Sequence, residues 1–497
     1  MNKCGHKEYK MALSFDVIII GAGVVGAAIA RELSKYKIDA ALLEKEADVS
    51  FGTSKANSGI IHAGFHSPPG TLKARLCVAG NRLFDRLSEE LNFPFQRRGE
   101  LVAAFSYEET QILKDLMEQG QKNNVQYLEL LGRDRVLELE PHINPDVTSA
   151  LYAPTAGIIG PYELCFALAE NASANGIEIF KNQQVIRIEK PKMGSRFTVE
   201  TKKGTTFKTK YIINAAGLNA DEIALMVGLH DFNITPRKGE EYLLDRRVSN
   251  LVNHVIFPVP QNNSKGMLVI PTVDGPVMVG PTAEDMNTKT DFTTSREGLS
   301  KVFEHAQRMI PEIRSQDVIT SFAGVRPVAT GNDFIIGTTV VHGFINAAGI
   351  QSPGLTASPA IAEMITTILL QEGLRMEAKS NFRPERPVIK RARKLLENGD
   401  IEELDGLIKK DPGYSNLVCR CENVTEGEIV EAVRRGHTTL DSLKFTTRAQ
   451  SGRCQGGFCT HRIMQIIQRE TGLPYTEITK KGPGSEIVLY RTNKGRK

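Results

Sequence analysis

The sequence predicts a mixed α/β and α+β chain of several domains, and three observations carry that prediction. A β-branched run at 15–20 ends on a glycine-rich turn that opens a helical stretch, and a second strand follows at 40–43. Strand-like alternation dominates 177–213 and 236–282, whereas 71–91 and 107–140 carry helical period. Four of the seven cysteines gather in a separate stretch near the C-terminus, after a charge-rich segment at 373–411.

At 497 residues the chain is too long for one ordinary core and calls for about two to four domains. The net charge of +4 is spread along the chain without a basic block, which gives nucleic-acid binding no support. The opening residues are charged and lack an apolar core, so no signal peptide is expected. The longest apolar stretch, 17–30, is interrupted by glycines and too short to span a bilayer. The expectation is a cytoplasmic protein without a transmembrane segment, with peripheral membrane contact left open. Scattered cysteines in such a chain, Cys4, Cys77 and Cys165, are expected to be inert thiols.

The turn GAGVVG places Gly21, Gly23 and Gly26 between a strand and a helix. The first glycine permits the tight turn, the second lets backbone approach a pyrophosphate, and the third lets helix pack on strand. The helix N-terminus then favours the anion. Glu44, 18 residues after Gly26, ends the next strand, where its carboxylate can accept from ribose hydroxyls. Together these predict a Rossmann-like dinucleotide-binding domain. Thr53, Ser54, Asn57, Ser58 and Gly59 form a run of small and hydroxyl residues that lets backbone pass close to a bulky ligand. INAAG occurs twice, at 213–217 and 345–349, each time closing a strand on a small-residue turn. Several separated segments converging on one elongated cofactor fit FAD better than NAD.

The remaining four cysteines read C-x-C-x32-C-x4-C: Cys419, Cys421, Cys454 and Cys459. Two close pairs brought together by folding make a four-thiolate site, which suits zinc or an iron–sulfur cluster, and spacing alone does not choose.

From Phe15 to about Leu370 the sequence resembles the FAD-dependent, D-amino-acid-oxidase-like and glycerol-3-phosphate-dehydrogenase-like oxidoreductases. VIIIGAGVVGAAIARELS, NSGIIHAGFHSPPGTLKARLCVAGN, YIINAAGLNAD, VMVGPTAEDM, GVRP and INAAGIQSPGLTASPA carry the resemblance. NSGIIHAG is also similar to L-2-hydroxyglutarate dehydrogenases. CRCENVTEGEIVEAVRRG and SGRCQGGFC resemble the [2Fe–2S] domain of bacterioferritin-associated ferredoxins, which typically end in C-x2-C where this chain has C-x4-C. The resemblance implies noncovalent FAD and a [2Fe–2S] cluster, with zinc the lesser alternative. It implies an FAD-dependent oxidoreductase over 1–375, with an FAD domain from discontinuous segments at about 15–90, 150–225 and 325–370. A mixed-sheet substrate domain at about 91–149 and 226–324 completes it. A charged linker at 376–414 that partly folds as short helices, a four-cysteine domain at 415–475 and a tail at 476–497 follow. Further cofactor positions implied are Val185, Ala216, Gly217, Gly349, Ile350, Gly354, Leu355 and Thr356.

The reaction implied is oxidation of glycerol 3-phosphate, with electrons passing through the cluster to an acceptor protein. A second flavoprotein or other acceptor subunit in an oligomer is the expected partner. The rivals are a 2-hydroxy acid or amino acid dehydrogenase, and an electron-transfer subunit without its own substrate. Alcohol oxidation needs a base, and His62 in NSGIIHAG is the candidate, with His66 the runner-up. Lys265 and Arg326 match positions that hold an anionic substrate group, and Ser58 and Ser352 are expected hydroxyl donors beside the flavin.

Overall fold

The computed structural model describes residues 12–192, 195–260 and 266–490. Its first sheet has eight strands and grows around Leu13–Ile20. That strand lies parallel to Ala40–Leu43 on one side and Thr206–Asn214 on the other, with Ile18 between Ala41 and Ile212. Residues 17–20 are buried, as an apolar run covered on both faces requires. Phe344–Ala348 joins Thr206–Asn214 in parallel, and the antiparallel strands Phe197–Thr201 and Val185–Glu189 extend the same side. Helices Val24–Leu33, Pro161–Ala174 and Gly354–Gln371 pack together around Ile29, Leu33, Leu164 and Ile361. Phe15, Phe197 and Phe207 fill a second core with the short helix Ala220–Leu225.

A second, nine-stranded sheet is mixed. Val255–Pro258 runs parallel to Glu100–Ala104, while the long strand Ile234–Leu244 pairs antiparallel with Val318–Ala329. The latter crosses the boundary expected at 325, because it pairs with Ile234–Leu244 along nearly its whole length. Where the sequence predicts helix throughout 107–140, the structure has two helices, Tyr107–Lys122 and Arg133–Leu139, split by the strand Glu129–Gly132. That strand is the sheet's edge, paired among the described residues only with Ser149–Ala153 and largely exposed, so burial leaves little period-two pattern in it.

The charged segment carries helices Ala392–Asn398 and Ile401–Lys410. Its start is tied down: the Asn171 and Asn175 amides donate to the carbonyl of Arg383. Beyond it, helices Glu426–Arg434, Leu440–Thr447 and Thr460–Thr471 enclose their own core of Ile429, Leu443, Ile463 and Ile467. Thr425 and Glu428 close the first of these with a reciprocal cap. Among the described residues no helix is long and apolar enough to cross a membrane.

Candidate active site

A cavity of about 1450 Å³ runs from the glycine turn of the first sheet to the face of the second. It exceeds the ~300–1,000 Å³ of ordinary ligand pockets, so a dinucleotide and a small substrate fit together. Gly21 has φ +104° and a Cβ there would lie 2.5 Å from the Ala215 carbonyl oxygen. A Cβ on Gly26 would lie 1.9 Å from the Gly21 oxygen, so that glycine serves helix–strand packing. Gly23 differs. It lines the cavity, and a Cβ on it would meet only the Ser54 hydroxyl, at 3.2 Å. The protein leaves space there, at the N-terminus of Val24–Leu33, and that space is a cradle for an anion. Ser54 Oγ accepts from the Val24 N–H at 2.9 Å. Glu44 accepts from the Ala22 and Glu46 N–H groups at 2.7 and 2.9 Å. Burial raises its carboxyl above the usual value although both N–H groups oppose this.

The two INAAG segments meet in register. Asn214 opposes Asn346 on adjacent parallel strands, and the Asn214 side-chain amide donates to Asn346 Oδ1 at 3.0 Å. Ala216 and Gly217 then face the cavity. Val185, Ile350, Gly354 and Leu355 line it as well, whereas Gly26, Gly349 and Thr356 stand behind its wall.

His62 lies on this wall, 7% exposed. Its Nδ1 is 3.3 Å from Glu100 Oε2, and its Nε2 is 3.4 Å from Ser352 Oγ. Glu100 is fully buried, and its other oxygen accepts from the Ala63 N–H at 2.9 Å. A carboxylate oxygen beside Nδ1 favours the tautomer with the proton there, which leaves Nε2 as the acceptor. Thr356 Oγ1 accepts from the His62 N–H at 3.0 Å, which gives that residue a supporting position rather than a lining one. The His66 ring stacks toward Phe257, 5.9 Å from the His62 ring.

Ser58 Oγ donates to Glu241 Oε1 at 2.9 Å, and Thr53 Oγ1 donates to the Val325 carbonyl at 2.6 Å, so both hydroxyls fasten this loop to the second sheet. Asn57 accepts from the Gly59 N–H within its own turn. Arg326 lines the cavity and donates to the Thr282 carbonyl at 3.1 Å. Burial raises the Glu241 carboxyl to about 7, against the Ser58 hydrogen bond and the Arg326 charge. Its Oε2 has no hydrogen-bond partner among the described residues. Lys265 lies outside the described residues.

Glu100 and Glu241 are absent from the sequence-derived set. A signal existed for Glu100: it is the lone acid heading a strand, Glu100–Ala104, that is buried throughout.

The four clustered cysteines form two pairs. Cys421 Sγ is 3.6 Å from Cys454 Sγ, and Cys459 beside Cys419 holds the Cys419 thiol below its usual value. Among the described residues no three of these sulfurs gather within 4.8 Å. A single zinc with ~2.3 Å bonds would draw all four to within ~4 Å, so the pairs fit a two-iron cluster better. Cys77 and Cys165 are buried, and Cys4 lies outside the described residues.

Residues 16–368 match the family model of FAD dependent oxidoreductases, and residues 417–469 match that of the BFD-like [2Fe-2S] binding domain. A glycerol 3-phosphate dehydrogenase of Caloramator mitchellensis is 48% identical over 481 residues, 96% of this chain and 99% of that relative. An L-2-hydroxyglutarate dehydrogenase of Nematostella vectensis is 30% identical over 422 residues, 72% of this chain and 91% of that one. Among solved structures, dithionite-reduced L-alpha-glycerophosphate oxidase from Mycoplasma pneumoniae with FAD bound superposes with a TM-score of 0.72. It is 33% identical and covers 75% of this chain and 98% of its own. With the glycine cradle, the cavity and the paired thiolates in place, the chain belongs to the FAD dependent oxidoreductase family, extended by a BFD-like [2Fe–2S] binding domain.

Proposed function

We propose that this chain oxidises sn-glycerol 3-phosphate to dihydroxyacetone phosphate. The observation that carries the reading is the His62 ring on the cavity wall, with a carboxylate at one nitrogen and a hydroxyl at the other. The 48% identity with a glycerol 3-phosphate dehydrogenase over nearly the whole chain supports this substrate above a 2-hydroxy acid, for which the relative is 30% identical. Oxidation of the secondary alcohol releases the hydroxyl proton and the carbon-bound hydrogen with its electron pair. His62 Nε2 takes the proton, and Glu100 at Nδ1 stabilises the imidazolium that results. Bound FAD supplies the acceptor for the hydride.

The loop at Thr53–Ser58 and the turn at Ile350–Leu355 supply the walls that hold FAD, with Gly23 and Glu44 at the adenosine end. Ser58, Ser352 and Arg326 orient the substrate, and Lys265 is the proposed phosphate partner. The [2Fe–2S] domain offers a one-electron outlet to a separate acceptor protein, such as a second flavoprotein subunit, in a cytoplasmic oligomer.

Anaerobic mixing with each candidate substrate tests the reading directly. Glycerol 3-phosphate is expected to bleach the flavin absorbance. If L-2-hydroxyglutarate bleaches it and glycerol 3-phosphate does not, the 2-hydroxy acid reading replaces this one. If no substrate does so while external reductants work, the chain is an electron-transfer subunit.

A further inference from the structure

The last described stretch of the chain returns to the cavity. Thr479 bridges Glu486 across a turn in which the Lys480 N–H donates to the Ser485 carbonyl at 2.8 Å. This turn rests on the segment that follows Glu44: a Cβ on Gly482 would lie 3.0 Å from Ala47 Cβ. Its neighbour Lys481 lines the same cavity as Lys45 and Glu46. The [2Fe–2S] domain grips the same segment from the side. His437 Nδ1 lies 2.7 Å from Asp48 Oδ2, and Phe445 meets Phe51 edge-on at 6.0 Å between centroids.

Lys55 is the second cation here. It is half-buried, lines the cavity, and holds its ammonium 4.8 Å from the Phe51 ring centroid. Burial depresses it below the usual lysine value, and the Lys480 and Lys481 charges add to that against Asp441. Lys480 has its own partner, Asp441, at 2.5 Å. Among the described residues neither Lys55 nor Lys481 has a carboxylate within 4.0 Å. Two unpaired cations at one cavity end, one of them partly desolvated, call for an anion. The position identifies it. Ser54, next to Lys55 in the chain, accepts from the Val24 N–H and touches the Gly23 cradle.

We propose that Lys481, from the tail beyond the [2Fe–2S] domain, joins Lys55 in holding the diphosphate-bearing adenosine half of FAD. The C-terminal extension then completes the cofactor site as well as carrying the cluster, and FAD retention depends on a residue outside the oxidoreductase match. The inference rests on the FAD assignment and deepens it.

The test is equilibrium binding of FAD to the flavin-depleted full-length chain, read by flavin fluorescence at low and high salt. Lys481→Gln, at an exposed position, is expected to raise Kd by about 5- to 10-fold at low salt, with the difference shrinking at high salt. Lys55→Gln is expected to weaken binding at least as much, and Lys481→Arg to stay within about twofold of the parent. Lys480→Gln, whose charge is already paired, is expected to leave Kd unchanged. Competition by ADP should weaken in parallel in Lys481→Gln, whereas competition by adenosine should not. Parent-like Kd values in Lys481→Gln would overturn the proposal, as would an equal loss in Lys480→Gln. A parent chain that takes up no FAD would overturn the cofactor assignment instead.

Discussion

Glu241 makes the sharpest stability test, because burial has set its carboxyl against its surroundings. The perturbation is Glu241→Gln, which keeps shape and the hydrogen-bond capacity toward Ser58 but removes the titration. In the folded chain the carboxyl is raised from 4.5 to about 7. Between those values the folded state holds a proton that the unfolded state has lost, so stability falls as pH rises. The contribution is fully present below pH ~4.5 and gone above pH ~7. Its span is about 3 kcal/mol, from ~1.4 kcal/mol per unit of pKa. Glutamine has no such slope. The variant should therefore gain on the parent as pH rises from 5 to 7, then hold a constant advantage of up to about 3 kcal/mol. The assay is denaturant unfolding of flavin-depleted parent and variant across pH 5–8.5. Parallel pH profiles for the two would refute the reasoning, since they would mean that Glu241 is ionised throughout.

Three further outcomes are expected. Gly23→Val should be colourless with the Tm of the flavin-depleted parent, whereas Gly26→Val, whose Cβ would lie 1.9 Å from the Gly21 oxygen, should fall below it; flavin content and Tm separate the two. His62→Ala should lower kcat by about 10²- to 10⁴-fold with FAD still bound, and Glu100→Gln by about 10- to 10³-fold, both read in rapid anaerobic reduction. Iron and labile-sulfide analysis should return two of each per chain, and stoichiometric zinc in anaerobically prepared protein would contradict the paired-thiolate reading.

What the sequence disclosed follows from range. Gly21, Gly23, Gly26 and Glu44 are legible because their chemistry is local: a turn, a helix start and a strand end within one βαβ unit. The repeated INAAG was legible as two strand ends but not as a pair. The parallel register of Asn214 with Asn346 pairs the two copies, the Asn214 side-chain amide donating to Asn346 Oδ1 across the sheet. Glu100 and Glu241 escaped because they stand on a different sheet from the glycine turn, 38 and 183 residues from their partners His62 and Ser58. The strand Glu129–Gly132 escaped because an exposed edge imposes little alternation.

The same logic bears on how the cysteine domain is held. Arg448, 7% exposed, reaches Asp274 at 2.5 Å, Tyr162 Oη at 2.8 Å and Glu422 at 3.1 Å. Arg246 from the second sheet's side adds a 2.8 Å contact to Glu422, and Arg391 pairs with buried Glu163. Such buried pairs add little net stability, because desolvation offsets their attraction. Their geometry is selective instead. A domain docked through apolar contacts alone could rotate or slide at small cost, whereas displacing Arg448 would strand two polar partners across the seam, Asp274 and the Tyr162 hydroxyl. Glu422 directly follows Cys421, so the network reaches the thiolate site itself. The charges between the two folded units therefore favour one docking of the cysteine domain on the rest of the chain.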